Sequence, residues 1–102
     1  MNQAQMMAQV KKMQAEMARA QEELASTAVT GTAGGNAVEV TMTCDYRVTG
    51  VKLAKEALDP ADPETLEDLL VVAMNDAVAK AQEAAAKRMS SVTGGLHIPG
   101  LT

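Results

Sequence analysis

The chain has 102 residues, no Phe or Trp, a single Tyr and a formal net charge of −4. That length fits one domain, but the side chains that bury most area are missing, so a core of Val, Leu, Met and Ala is thin and calls for a second copy of the chain. Cys44 is the single cysteine, which excludes an intrachain disulfide and a multi-cysteine zinc site; no apolar run nears the ~20 residues of a membrane helix, no signal pattern opens the chain, and the cytoplasm is the expected compartment.

Residues 1–26 are predicted to form one helix. Gly and Pro are absent there, and Met6, Val10, Met13, Met17, Ala20 and Leu24 recur at alternating spacings of four and three. Such a heptad seam packs against another helix. The same stripe also fits a Met-lined surface for a partner protein. Lys12 and Glu16, and Arg19 and Glu23, stand four apart and can pair along the helix, in the weaker orientation.

Residues 27–54 change period. Thr27, Val29 and Thr30 favour a strand, and Gly34-Gly35-Asn36 marks a turn. Val38, Val40 and Met42 then alternate with Glu39, Thr41 and Thr43, the pattern of a strand with one buried face. Cys44-Asp45-Tyr46 is a short connection. A third strand carries Val48, Val51 and Leu53, and its alternation slips by one residue around Gly50, which predicts a bulge. Short connections favour an antiparallel meander.

Asp59-Pro60-Ala61-Asp62-Pro63 breaks the chain. Asp62 suits an N-cap and Pro63 the first helical position, so a second long helix is expected over 63–93. Its stripe runs from Leu66, Leu69 and Leu70 into Ala73, Ala77, Ala81, Ala84 and Ala85. Those small side chains allow close packing. Residues 94–102 form an irregular apolar tail. Both helices outreach a three-stranded sheet, since ~28 helical residues span ~42 Å and a six-residue strand ~20 Å. Something must project.

No constellation for catalysis stands out. His97 has no acidic or thiol neighbour in ligand spacing, and Asp45 beside Cys44 disfavours a reactive thiolate. Glu56, Asp59, Asp62, Glu64, Glu67 and Asp68 read as caps and first-turn carboxylates. Gly34-Gly35 lacks the Lys-Ser/Thr and the following helix of a P-loop. The expectation is no enzyme, no cofactor, no metal and no small-molecule substrate. The basic residues fall into two groups, Lys11, Lys12 and Arg19 on the first helix and Lys80, Lys87 and Arg88 late on the second. This asymmetry can make a local positive surface on a negative protein.

Several stretches together resemble the YbaB/EbfC family of bacterial nucleoid-associated proteins. Met-Ala-Gln-Val-Lys-Lys-Met-Gln-Ala-Glu-Met at 7–17, running into Gln21-Glu22-Glu23-Leu24, is similar to its first helix. Gly34-Gly35 with Val38-Glu39-Val40-Thr41-Met42 is similar to its glycine turn and second strand, although Asn36 stands where a third glycine is common. Leu66 to Ala77, Thr93-Gly94-Gly95-Leu96 and Pro99-Gly100-Leu101 resemble its second helix and end. The resemblance implies a cytoplasmic, nucleoid-associated homodimer, likened to tweezers with helical arms, that binds duplex DNA.

The combined expectation is one α+β domain over 1–102, helix–three-stranded antiparallel sheet–helix, dimerising through a joint body with helix 1 as an arm. Val38, Val40, Met42, Leu69, Ala73 and Ala77 are the expected dimer interface. Lys11, Lys12, Arg19, Lys80, Lys87 and Arg88 are the expected phosphate contacts. The lack of an aromatic platform disfavours single strands held by stacking. The alternative is a protein–protein interaction module that uses the Met-lined helix or the apolar tail and touches DNA only incidentally.

Overall fold

The computed structural model describes residues 2–94. The expected tail therefore lies outside the described residues, His97 included, except for Gly94.

Helix α1 spans Gln3–Ser26. Asn2 caps it: its side chain accepts the Gln5 N–H at 2.8 Å, and the Gln5 side chain accepts the Asn2 N–H at 3.3 Å. This reciprocal box satisfies two donors the helix leaves open. At the far end the Thr27 hydroxyl donates to the Glu23 carbonyl at 2.6 Å, and Thr27 turns to extended backbone.

Strands β1 (Ala28–Ala33), β2 (Val38–Thr43) and β3 (Val48–Leu53) form an antiparallel sheet in that order. The β1–β2 turn places Gly34, Gly35 and Asn36 at φ between 62° and 74°, a region that glycine enters freely and Asn tolerates. In β3, Gly50 pairs with Thr41 and Val48 with Met42, so Thr49 is the extra residue of the bulge. A short 3-10 helix, Lys55–Ala57, precedes helix α2, Pro63–Gly94. Asp62 accepts the Thr65 N–H at 3.3 Å and the Thr65 hydroxyl at 2.5 Å, which makes it the cap.

The core lies where α2 crosses β1 and β2. Ala33, Val38, Val40 and Met42 on the sheet meet Ala73, Ala77 and Ala81 on the helix. The approach is so close that a Cβ on Gly31 would stand 2.2 Å from the Ala73 carbonyl oxygen and 2.3 Å from the Ala77 nitrogen.

This packing bears on the residues expected at the dimer interface. Val38, Val40, Met42, Ala73 and Ala77 are buried inside one chain, and Leu69 packs against the same cluster. Alternation reveals which sheet face is apolar, not whose helix covers it, and here the chain covers it with its own α2.

One helix is about 10 Å wide and strands are about 4.8 Å apart, so α2 covers two strands and the third stays bare. All six β3 residues are exposed. Leu53, Val51 and Val48 lie opposite the buried Val38, Val40 and Met42, and residues directly opposite share a face. They therefore continue the apolar face beyond the helix.

The C-terminal part of α2 continues past the sheet and meets α1, with Glu23 opposite Arg88. Ala20, Leu24 and Val92 are buried. α1 runs toward the sheet and α2 away from it, so the pair is antiparallel. Counted from this contact, α1 extends 20 residues back to Gln3 and α2 six residues on to Gly94. At 1.5 Å per residue α1 projects about 20 Å farther. The body is 70 Å long with a radius of gyration of 19.6 Å, against ~13 Å for a compact chain of this size.

Candidate nucleic-acid interface

The side chains that could meet phosphate lie along the arm. At about 100° per residue, Lys12, Arg19 and Glu23 fall within about 40° of one another on one flank of α1. Glu23 stands beside α2, where a cleft of about 380 Å³ is lined by Glu23, Leu24, Thr27, Lys87, Arg88 and Ser91, among others. Lys87, Arg19 and Lys12 thus follow one another outward along the same side. Lys11 stands about 100° from Lys12 around the helix, on another exposed face of α1. No ion pair or hydrogen bond holds the side chains of Lys11, Lys12, Arg19 or Lys87 among the described residues.

The structure gives the other two cations partners. The Lys80 ammonium donates to the Thr30 carbonyl at 2.9 Å and lies 3.1 Å from Asp76. Asp76 in turn accepts the Thr32 N–H at 2.9 Å. Thr30 and Thr32 expose these groups along the free edge of β1. The pair therefore covers an edge that would otherwise invite another strand. The Thr32 N–H and then the Lys80 ammonium hold the Asp76 carboxyl below its ordinary range. A depressed carboxyl stabilises the fold above its unfolded-state value and loses that contribution as pH falls through the folded-state value. Asp76→Asn is thus expected to lower stability at neutral pH and to flatten its fall below the ordinary carboxylate range, as read by denaturant melts across pH. An unchanged profile would clear Asp76 of this role.

Arg88 is held more fully. Its Nε donates to Glu23 Oε2 at 2.7 Å, Nη2 to Glu23 Oε1 at 3.3 Å, and Nη1 to the Ser91 hydroxyl at 2.7 Å. Glu23 is consequently pushed down, first by the Arg88 hydrogen bond and then by the charges of Arg88 and Arg19. The i,i+4 pairing of Arg19 with Glu23 that spacing allows is replaced by this bridge between helices.

Sequence reasoning missed the partners of Lys80 and Arg88, because they come from other elements. It also missed the bare apolar strip of β3. The signal for that strip was present: three apolar strands and one helix to cover them. Among the described residues, no group of three or more His, Cys, Asp or Glu side chains could hold a metal ion. No helix there is long and apolar enough to cross a membrane. Cys44 is buried, its N–H shared between the Leu24 and Thr27 carbonyls at 3.0 and 2.9 Å.

A sequence profile of the YbaB/EbfC DNA-binding family matches residues 1–96. A nucleoid-associated protein of Chloroflexus aurantiacus is 50% identical over 96 residues, covering 94% of this chain and 96% of that protein. One from Pelotomaculum thermopropionicum is 45% identical over 100 residues, covering 98% and 95%. The crystal structure of the uncharacterized protein HP0035 from Helicobacter pylori superposes with a TM-score of 0.76 at 22% identity, over 95% of this chain and 99% of that one. With a family match across nearly the whole length and an arm that aligns cations beside an α+β body, the chain belongs to the YbaB/EbfC DNA-binding family.

Proposed function

We propose that the protein is a nucleoid-associated, cytoplasmic homodimer that grips duplex DNA between its arms through phosphate contacts. The observation that carries this reading is the row of cations with no ion pair or hydrogen bond among the described residues, Lys12, Arg19 and Lys87, along one side of the α1–α2 pair, with Lys11 on another exposed face of α1. Phosphate contact needs charge and reach rather than pockets, and a flank that carries Lys12 about 16 Å out along α1 from the Glu23–Arg88 contact supplies both. Lys80 and Arg88, expected contacts by sequence, enter this reading differently: Lys80 serves the β1 edge, and Arg88 is tied to Glu23.

The dimer forms in this reading through β3 and the adjoining flank of α2. Val48, Val51 and Leu53 are exposed there, with Val71 and Met74 exposed on the helix. The opposite edge, β1, is closed by Asp76 and Lys80, so of the two sheet edges β3 is the one open to a second copy. The chain exposes 7240 Å², where a compact monomer of its mass exposes roughly 5,500 Å². The excess, about 1,700 Å² per chain, includes the surface of the projecting arm, and the roughly 800 Å² per partner of a stable interface fits within it.

Fluorescence anisotropy with random-sequence duplex DNA tests the function. Affinity is expected to fall linearly in log–log form with salt. Replacing Lys11, Lys12, Arg19 or Lys87 singly with Ala should reduce the slope by about one per contact, alike for all sequences. An unchanged slope would remove that residue from the interface, and no binding at low salt by an intact dimer would overturn the reading. In that case the exposed Met6, Met7 and Val10 on the arm would favour a protein partner.

A further inference from the structure

The cations along the arm share their flank with two carboxylates, Glu16 and Glu23, and Glu23 is the one that grips Arg88. All three guanidinium nitrogens are occupied, two by Glu23 and one by Ser91. Glu23 keeps about half of its side-chain surface in solvent, 51%, whereas Arg88 keeps 30%. The cleft opens beside the pair, with Lys87 and Ser91 on its lining. Resting on the reading of the arm as the DNA-contacting surface, we infer that Glu23 is an internal competitor for phosphate: it occupies the Arg88 fork, and DNA engages that fork by displacing the carboxylate.

Chemistry supports the exchange. A guanidinium presents parallel donors that fit a carboxylate and a phosphate in the same two-pronged way. A phosphodiester in the cleft would meet Arg88, the Lys87 ammonium and the Ser91 hydroxyl together. The displaced Glu23 regains water at an exposed position. DNA thereby gains one contact and gives up one intramolecular pair, so the net strength of binding is held below what the arm's cations alone would reach. Glu16, whose charge also acts on Arg88, lies on the same flank and adds to the opposition. A purely mechanical role, pinning α1 to α2, predicts the reverse sign: loosening the pair would weaken binding.

The experiment is a salt series of DNA anisotropy on the full chain, with helix content followed by circular dichroism. Wild type is measured first, then Glu23→Gln, which keeps the shape and loses the charge. Glu64→Gln at the start of α2 removes the same formal charge far from the arm. Glu23→Gln is expected to bind several-fold tighter at low salt than either, with a slope steeper by about one per newly freed contact. The double variant Glu23→Gln/Arg88→Ala should lose that gain. A Glu23→Gln protein that binds no more tightly than Glu64→Gln, or a gain that survives removal of Arg88, overturns the inference while the DNA reading stands. Wild type that fails to bind at low salt overturns both.

Discussion

Gly31→Ala is expected to destabilise the protein by about 3 kcal/mol or more, which lowers the melting temperature by at least ~10 °C for a domain of this size. The cause is the contact between β1 and α2. A Cβ there would stand 2.2 Å from the Ala73 carbonyl oxygen, 2.3 Å from the Ala77 nitrogen and 2.8 Å from the Ala77 Cα. All three are backbone atoms, so no side chain can rotate away, and the helix itself must lift off the sheet. Lifting it parts Ala73 and Ala77 from Val38 and Val40, the centre of the core. Gly50→Ala is the matched control. Nothing lies within 4 Å of a Cβ at Gly50, and its cost should stay within about 0.5 kcal/mol. Thermal melts at equal protomer concentration check both, because melting of a dimer depends on concentration. A Gly31→Ala protein as stable as wild type would mean that α2 is not seated on β1 as described.

Val51→Glu is expected to turn the dimer into a folded monomer, weakening self-association by at least ~100-fold, or about 3 kcal/mol. Val51 lies opposite the buried Val40 but is itself 45% exposed in the single chain. The fold therefore tolerates a carboxylate there. A partner does not, because a charge buried across an interface without a counter-ion is strongly unfavourable. Lys52→Ala, on the other face of the same strand, should leave the dimer intact. Sedimentation velocity over a concentration series distinguishes the two, with helix content as the check on folding. A Val51→Glu protein that stays dimeric would move the interface away from β3. The same variant bears on DNA: a monomer presents one arm, so its salt slope should fall to about half.

The expected elements and the observed ones agree where the signal is local. The heptad spacing from Met6 to Leu24 predicts a helix, and α1 covers it. The alternation of Val38, Val40 and Met42 predicts a strand with one buried face, and all three are buried. The slip at Gly50 appears as a bulge at Thr49. The 3-10 turn at Lys55–Ala57 had no such signal, since three residues are too few to show a period.

The candidate site was legible only in part. Charge clusters on helices can be counted from spacing, and among the described residues no ion pair or hydrogen bond holds the side chains of Lys11, Lys12, Arg19 or Lys87. Lys80 and Arg88 belong to the same clusters, yet one closes a strand edge through Thr30 and the other grips Glu23. These partners lie 50 and 65 residues away in the chain, beyond any periodic pattern. The apolar face shows the same division. Hydrophobic alternation in residues 28–53 marks the face for burial, because side-chain direction is a property of the strand alone. Whether the chain's own helix or a second copy buries it depends on how many strands one helix can span. Ala73, Ala77 and Gly31, packed backbone to backbone, bring α2 down over β1 and β2 and leave the apolar face of β3 exposed. Periodicity is a local quantity and survives in the sequence, whereas the pairing of distant charges and the division of a core between two chains arise only when the elements meet in space.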